Sequence, residues 1–169
     1  MNVIVDIAND CSGHWTPAAE NCLSWITCGL ETTGQAHERD KSPSVLAGKD
    51  QNVSLRFVAE IESAALNEQY RGKHTSTNVL SFPTNFPESL VEHMEYQCLG
   101  DIVVCPAIVE KEAREQRKTL EAHWAHLLIH GVLHLLGYDH VSDQQAHQME
   151  NLEIEALETL GFPNPYLIT

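Results

Sequence analysis

The chain has 169 residues, 43% of them hydrophobic, and a formal net charge of −14. That length suits one domain with a core of its own, and no apolar run approaches the roughly 18 residues that a membrane-spanning helix needs. The acidic balance excludes a general nucleic-acid binder that relies on phosphate neutralisation over its whole surface.

Val3 to Ile7 is a short apolar run that predicts a first strand, and no basic-then-apolar leader is visible at Met1–Asp6. Thr16 and Pro17 supply an N-cap and a first-turn proline, so a helix is expected from there with Ala19, Leu23, Ile26 and Leu30 facing the core. The polar stretch from Glu31 to Asn52, rich in Gly, Ser, Lys and Asp, predicts a mobile loop. Val53, Leu55, Phe57 and Ala59 then alternate with Ser54, Arg56 and Val58, the period of a strand.

Ile61–Tyr70 reads as a short helix ended by Gly72, with Arg71 in the polar connection to a strand over Thr77–Phe82 that Pro83 stops. Pro83–Gln97 is expected to be a loop, and Cys98–Cys105 a strand interrupted by Gly100. Pro106 opens a further helix. Thr119 caps a central helix over Leu120–Leu136, with Glu121 in its first turn. Ser142 and Gln145 form a capping box for the last helix, whose Ala146, Met149, Leu152, Ala156 and Leu160 make a core stripe before Gly161 and Pro163 end it. This order predicts a single α+β domain over residues 1–169, with a mixed sheet and about five helices. The five cysteines, at 11, 22, 28, 98 and 105, make no C-x-x-C pair and predict reduced thiols in a cytoplasmic protein.

Chemistry concentrates in the run from His130 to His140. His130 and His134 are four residues apart in an apolar, proline-free stretch, which puts both imidazoles on one helix face. Gly137 can end that helix in the left-handed conformation, so that His140 returns to the same point. Three imidazoles with a coordination position left open describe a catalytic transition-metal site better than a structural one. The spacing is that of the zinc-protease pattern H-E-x-x-H-x-x-G-x-x-H, except that Gly131 stands where the protease has its glutamate base. The cage remains without the proteolytic base, which points to metal-dependent hydrolysis of something other than peptides.

The same run resembles the signature of the YbeY family of bacterial rRNA maturation factors, regarded as metal-dependent endoribonucleases. Tyr70-Arg71-Gly72-Lys73 with Thr77-Asn78-Val79-Leu80-Ser81-Phe82-Pro83 is similar to a second marker of that family, and Leu99-Gly100-Asp101-Ile102 to a third. The three blocks occur in family order from about Val53 to the C-terminus. The resemblance implies a zincin-like fold with about four strands. It also implies one zinc, or another divalent transition metal, on His130, His134 and His140, and an activity on single-stranded rRNA precursors. The function it implies is maturation of the small-subunit rRNA 3′ end and ribosome quality control, in contact with the small ribosomal subunit and its proteins. No membrane partner is expected.

Around this centre, His130 and Arg71 are the expected catalytic residues. The Arg71 guanidinium suits two-pronged recognition of a phosphate and is expected in a loop facing the metal. Lys73 shares that loop. His126 lies one turn before His130, and it and His123 are weighed as further ligands or supports against packed histidines. Asp139 either orients a ligand imidazole or caps the turn. Asp101 is a candidate ribosomal-protein contact, on the resemblance alone, or a turn residue, and Asn78 and Ser81 are expected to be structural.

Seven of the ten basic residues fall between Arg56 and Lys118, and Lys111, Arg114 and Lys118 would share a helix face that either tracks RNA or is merely solvated. With Gly131 lacking a side chain, the base is unassigned, and either water or the RNA 2′-hydroxyl is left as the attacking group. The alternative reading is a non-catalytic ribosome-assembly factor with a structural metal. A peptidase would need a glutamate from elsewhere.

Overall fold

The computed structural model describes residues 1–42 and 49–167, which form a four-stranded mixed sheet and six helices. The strands are β1 (Val3–Asn9), β2 (Asp50–Phe57), β3 (Val79–Pro83) and β4 (Tyr96–Val104), in the spatial order β1-β2-β4-β3. β1 and β4 run parallel to β2, whereas β3 pairs antiparallel with β4 at the edge. The helices are α1 (Ala19–Asp40), α2 (Glu60–Arg71), the short α3 (Glu88–Val91), α4 (Pro106–Glu115), α5 (Leu120–Leu135) and α6 (Asp143–Thr159).

Strand alternation sends Val53, Leu55, Phe57, Ile102 and Val104 to one face of the sheet, into a core shared with α1, α5 and α6. Val58, Leu80 and Val103 form a smaller cluster with Leu66 of α2 and Phe82 on the opposite face. α5 lies inside the larger core and is buried almost all round, with Trp124, Leu128, Ile129 and Leu133 at most 1% exposed. Burying each such side chain contributes about 1.5–3 kcal/mol, which outweighs the roughly 1 kcal/mol that Gly131 costs inside the helix.

Several local expectations are corrected. The loop expected over Glu31–Asn52 is helix as far as Asp40 and strand from Asp50, and its positions 43–48 lie outside the described residues. Thr32 and Thr33 read as polar in sequence, yet both are buried, and the Thr33 hydroxyl donates to the Gly29 carbonyl 2.9 Å away. The helix therefore satisfies its own polar groups and continues until Lys41 adopts a left-handed cap. At its other end α1 begins after Pro17, on Ala18, rather than on Thr16. Ala19 and Leu23 are exposed, because the face carrying Cys22, Trp25, Ile26, Gly29 and Leu30 packs inward instead.

The loop expected over Pro83–Gln97 contains the four-residue α3, the sixth helix, and β4 starts two residues before Cys98. Gly100 does interrupt β4: Asn52 pairs with Cys98 and Val53 with Gly100, so Leu99 is bulged. At φ +141°, a Cβ on Gly100 would lie 2.2 Å from the Phe82 carbonyl oxygen, so only glycine fits. The expected caps are present at Thr119, whose side chain accepts from the Ala122 amide, at Gly72, and in the Ser142–Gln145 capping box.

Candidate metal centre

The centre is built at the C-terminal end of α5. Gly137, at φ +96°, sends its amide to the His134 carbonyl, and Tyr138 sends its amide to the Leu133 carbonyl. These two bonds close the helix with a Schellman turn. The chain doubles back, and the ligand nitrogens of His130, His134 and His140 all lie within 4.8 Å of one another. The Nε2 atoms of His130 and His134 are 3.1 Å apart. Two nitrogens on one zinc at about 2.0–2.1 Å in a tetrahedral shell stand about 3.3 Å apart, so the spacing suits a shared ion. Burial, reinforced by His130 and His140 nearby, lowers the His134 imidazole to about 4. It is therefore neutral at pH 7, the form that binds metal. His140 is exposed, which leaves one side of the centre open.

Gly131 faces the sheet. A Cβ there would meet Ile102 Cγ2 at 3.1 Å, Ile102 Cδ1 at 3.2 Å and the Ser81 hydroxyl at 3.3 Å. A side chain at this position would crowd β3 and β4, which sit close against the helix here.

Behind the centre lies a residue that the motif did not point to. Glu153 of α6 is 1% exposed and accepts from His130 Nδ1 at 2.6 Å and from His126 Nε2 at 2.8 Å. The Tyr166 hydroxyl also donates to it. Burial alone would raise the Glu153 carboxyl, but the bonds from His126 and His130 prevail and hold it down at about 2. An ionised carboxylate only accepts, so both rings must carry a proton on the nitrogen facing it. Burial lowers the His126 imidazole, which keeps that ring neutral. The one sequence signal for Glu153 was a carboxylate set among Met149, Leu152 and Ala156 on a core-facing stripe. Tyr166, beyond the last helix, gave none.

The remaining candidates take other roles or places. Asp139 Oδ1 accepts from the His140 amide at 2.8 Å, which is the turn-capping alternative. His123 donates to Glu112 at 3.0 Å, and Asn78 donates to the same carboxylate at 2.9 Å. The Ser81 hydroxyl donates to the Gly131 carbonyl at 3.0 Å. Arg71 is the last residue of α2 rather than part of the following loop. It lines a groove of about 860 Å³ with Asp101, Tyr70 and Ser81, on the face of the sheet opposite α5. Lys73 is exposed just past the Gly72 cap. α4 ends at Glu115, so Lys118 leaves the helix face of Lys111 and Arg114. It lines a cavity of about 320 Å³ together with His123, His126, His130 and Tyr166.

A family model described as endoribonuclease YbeY matches residues 19–161. The solution structure of TM1509 from Thermotoga maritima is 27% identical, with a TM-score of 0.50, over 94% of this chain and 92% of that one. The matched segment contains the three histidines, Glu153 and the Arg71 block, and the chain belongs to the endoribonuclease YbeY family.

Proposed function

We propose that this protein is a metal-dependent endoribonuclease that cuts single-stranded rRNA precursors in the cytoplasm, in contact with the small ribosomal subunit. Its work there would be maturation of the rRNA 3′ end and quality control. The observation that carries the reading is the convergence of the His130, His134 and His140 ligand nitrogens within 4.8 Å at an open helix end, in a chain of an endoribonuclease family. No helix among the described residues is long and apolar enough to cross a membrane.

The three imidazoles would hold one divalent ion, zinc or another transition metal, which when bound would supply Lewis acidity at the scissile phosphate. Glu153 keeps the His130 ring oriented, and the packing of Gly131 against Ile102 and Ser81 keeps α5 tight on the edge strand. Arg71 offers a planar fork to an RNA phosphate from the groove that reaches Ser81, whose hydroxyl bonds the helix carrying the ligands. RNA running along β3 would then engage both.

The test is cleavage of a single-stranded rRNA-precursor oligonucleotide by zinc-loaded wild type, His134→Ala and Arg71→Glu, with metal content and circular dichroism on the same samples. Cleavage that both folded variants lose supports the reading. Cleavage that both retain at the wild-type rate contradicts it and favours the assembly factor with a structural metal.

A further inference from the structure

We propose that Glu153 is the positioning residue of the metal centre, and that Tyr166 of the C-terminal segment and His126 clamp it in place. The inference rests on the metal reading of the three histidines and adds the residues that set their geometry.

Glu153 lies on α6, whereas His130 and His134 lie on α5 and His140 in the connection between them, and at 1% exposure its carboxylate has no solvent to turn towards. Both of its oxygens are committed: Oε1 to His130 Nδ1 at 2.6 Å, and Oε2 to His126 Nε2 at 2.8 Å and to the Tyr166 hydroxyl. A metal-binding imidazole keeps one ring proton, and the carboxylate on Nδ1 fixes it there. The lone pair is then on Nε2, the atom that faces His134 Nε2. A carboxylate in this place also fixes the ring plane and raises the basicity of the ligand nitrogen.

The clamp has a reason of its own. The Glu153 side chain has rotatable bonds, and the bond to His130 alone would leave Oε2 buried and unpaired. His126, one turn before His130 on the same helix, fills part of that need. Tyr166 fills the rest from the turn after α6, with its ring set edge-on to His126 at a centroid distance of 5.5 Å. The C-terminal segment is thereby joined to the metal ligands through one carboxylate.

The experiment compares wild type, Glu153→Gln, Glu153→Asp and Tyr166→Phe, using the full chain. Zinc affinity is read by competition with a chromophoric chelator. The His130 tautomer is read in the metal-free proteins by long-range imidazole nitrogen–proton correlations, and folding by circular dichroism.

Glu153→Gln should weaken zinc binding about 10- to 100-fold and mix the His130 tautomers, with part of the affinity recovered in Glu153→Asp. Tyr166→Phe, at a residue 43% exposed, removes only the hydroxyl, and should cost about two- to tenfold. It carries the test if the Glu153 variants do not fold. The proposal is overturned if folded Glu153→Gln binds zinc within twofold of wild type with the His130 proton still on Nδ1. It is overturned equally if Tyr166→Phe is the only measurable variant and leaves affinity and tautomer unchanged. Should wild type bind no zinc, the metal reading fails, while the tautomer comparison still decides whether Glu153 orients His130.

Discussion

Two glutamates meet histidines of α5, one near each end of the helix, and their surroundings differ. Glu112 of α4 accepts a hydrogen bond from His123 and two from Asn78, tying the chain just ahead of β3 to the first turns of α5. Glu153 of α6 takes His126 and His130, and His130 turns its other nitrogen to His134. The pairing chemistry is the same at both ends, so it is the second ring nitrogen that separates their roles. At His123 that nitrogen is buried with no hydrogen-bond partner among the described residues, whereas at His130 it faces two more imidazoles at an open helix end. The His130–Glu153 pair is thus placed to support a metal, and the His123–Glu112 pair is not.

The largest expected effect sharpens this contrast. His134→Ala should lower zinc affinity on the order of 10²–10³-fold, as one ligand's share of the roughly 10–16 kcal/mol of a four-ligand zinc site. His123→Ala should leave zinc affinity within about twofold and reduce stability instead, since it removes one of the Glu112 carboxylate's two side-chain partners. Chelator competition and urea melts on both variants check the pair of statements. Glu112→Gln should cost about 1–3 kcal/mol of stability with zinc affinity unchanged. If it weakens zinc as much as Glu153→Gln does, the distinction between the two ends collapses.

Acid separates the two ends by a different route. Burial raises the Glu112 carboxyl, but the bonds from His123 and Asn78 outweigh it and hold the folded value below the ordinary 4.5. A lowered carboxyl stabilises the fold above its unfolded value, and that contribution is lost as pH falls through the folded value. Wild type should therefore lose more stability than Glu112→Gln between pH 6 and about 3, read as the difference in urea midpoints. Parallel loss in both proteins would remove Glu112 from the acid response.

The smallest effect concerns the sheet's hold on α5. Gly131→Ala gains about 1 kcal/mol of helix propensity but forces a methyl to 3.1–3.3 Å from Ile102 and Ser81, a crowding that costs about 1–3 kcal/mol. A net loss of up to about 2 kcal/mol follows, with zinc affinity retained. A thermal melt with chelator competition reads both.

The contrast also explains what the sequence made legible. His130, His134 and His140 could be read together because helical spacing and one glycine turn define their meeting point within eleven positions. The caps at Thr119, Gly72 and Ser142 are equally local, and the structure has all three. Glu153 is thirteen positions beyond His140, and its role depends on how α6 crosses α5, which no local pattern encodes. Arg71 shows the same limit: its block marks the family, but whether the end of α2 lies beside α5 or across the sheet is decided by strand order. The second half of α1 is not legible locally because Thr32, Thr33 and Gly34 carry weak helix propensity, which the packing of Leu30 and Ala36 overrides.

The most direct test of the central claim is a zinc titration of metal-free protein while cleavage of a single-stranded rRNA-precursor oligonucleotide is followed, with His134→Ala as the parallel sample. Cleavage should rise with added zinc, level off at one ion per chain, and stay at background throughout in the variant. Cleavage that is independent of zinc, or that persists in folded His134→Ala, would contradict a three-histidine metal centre as the seat of the reaction.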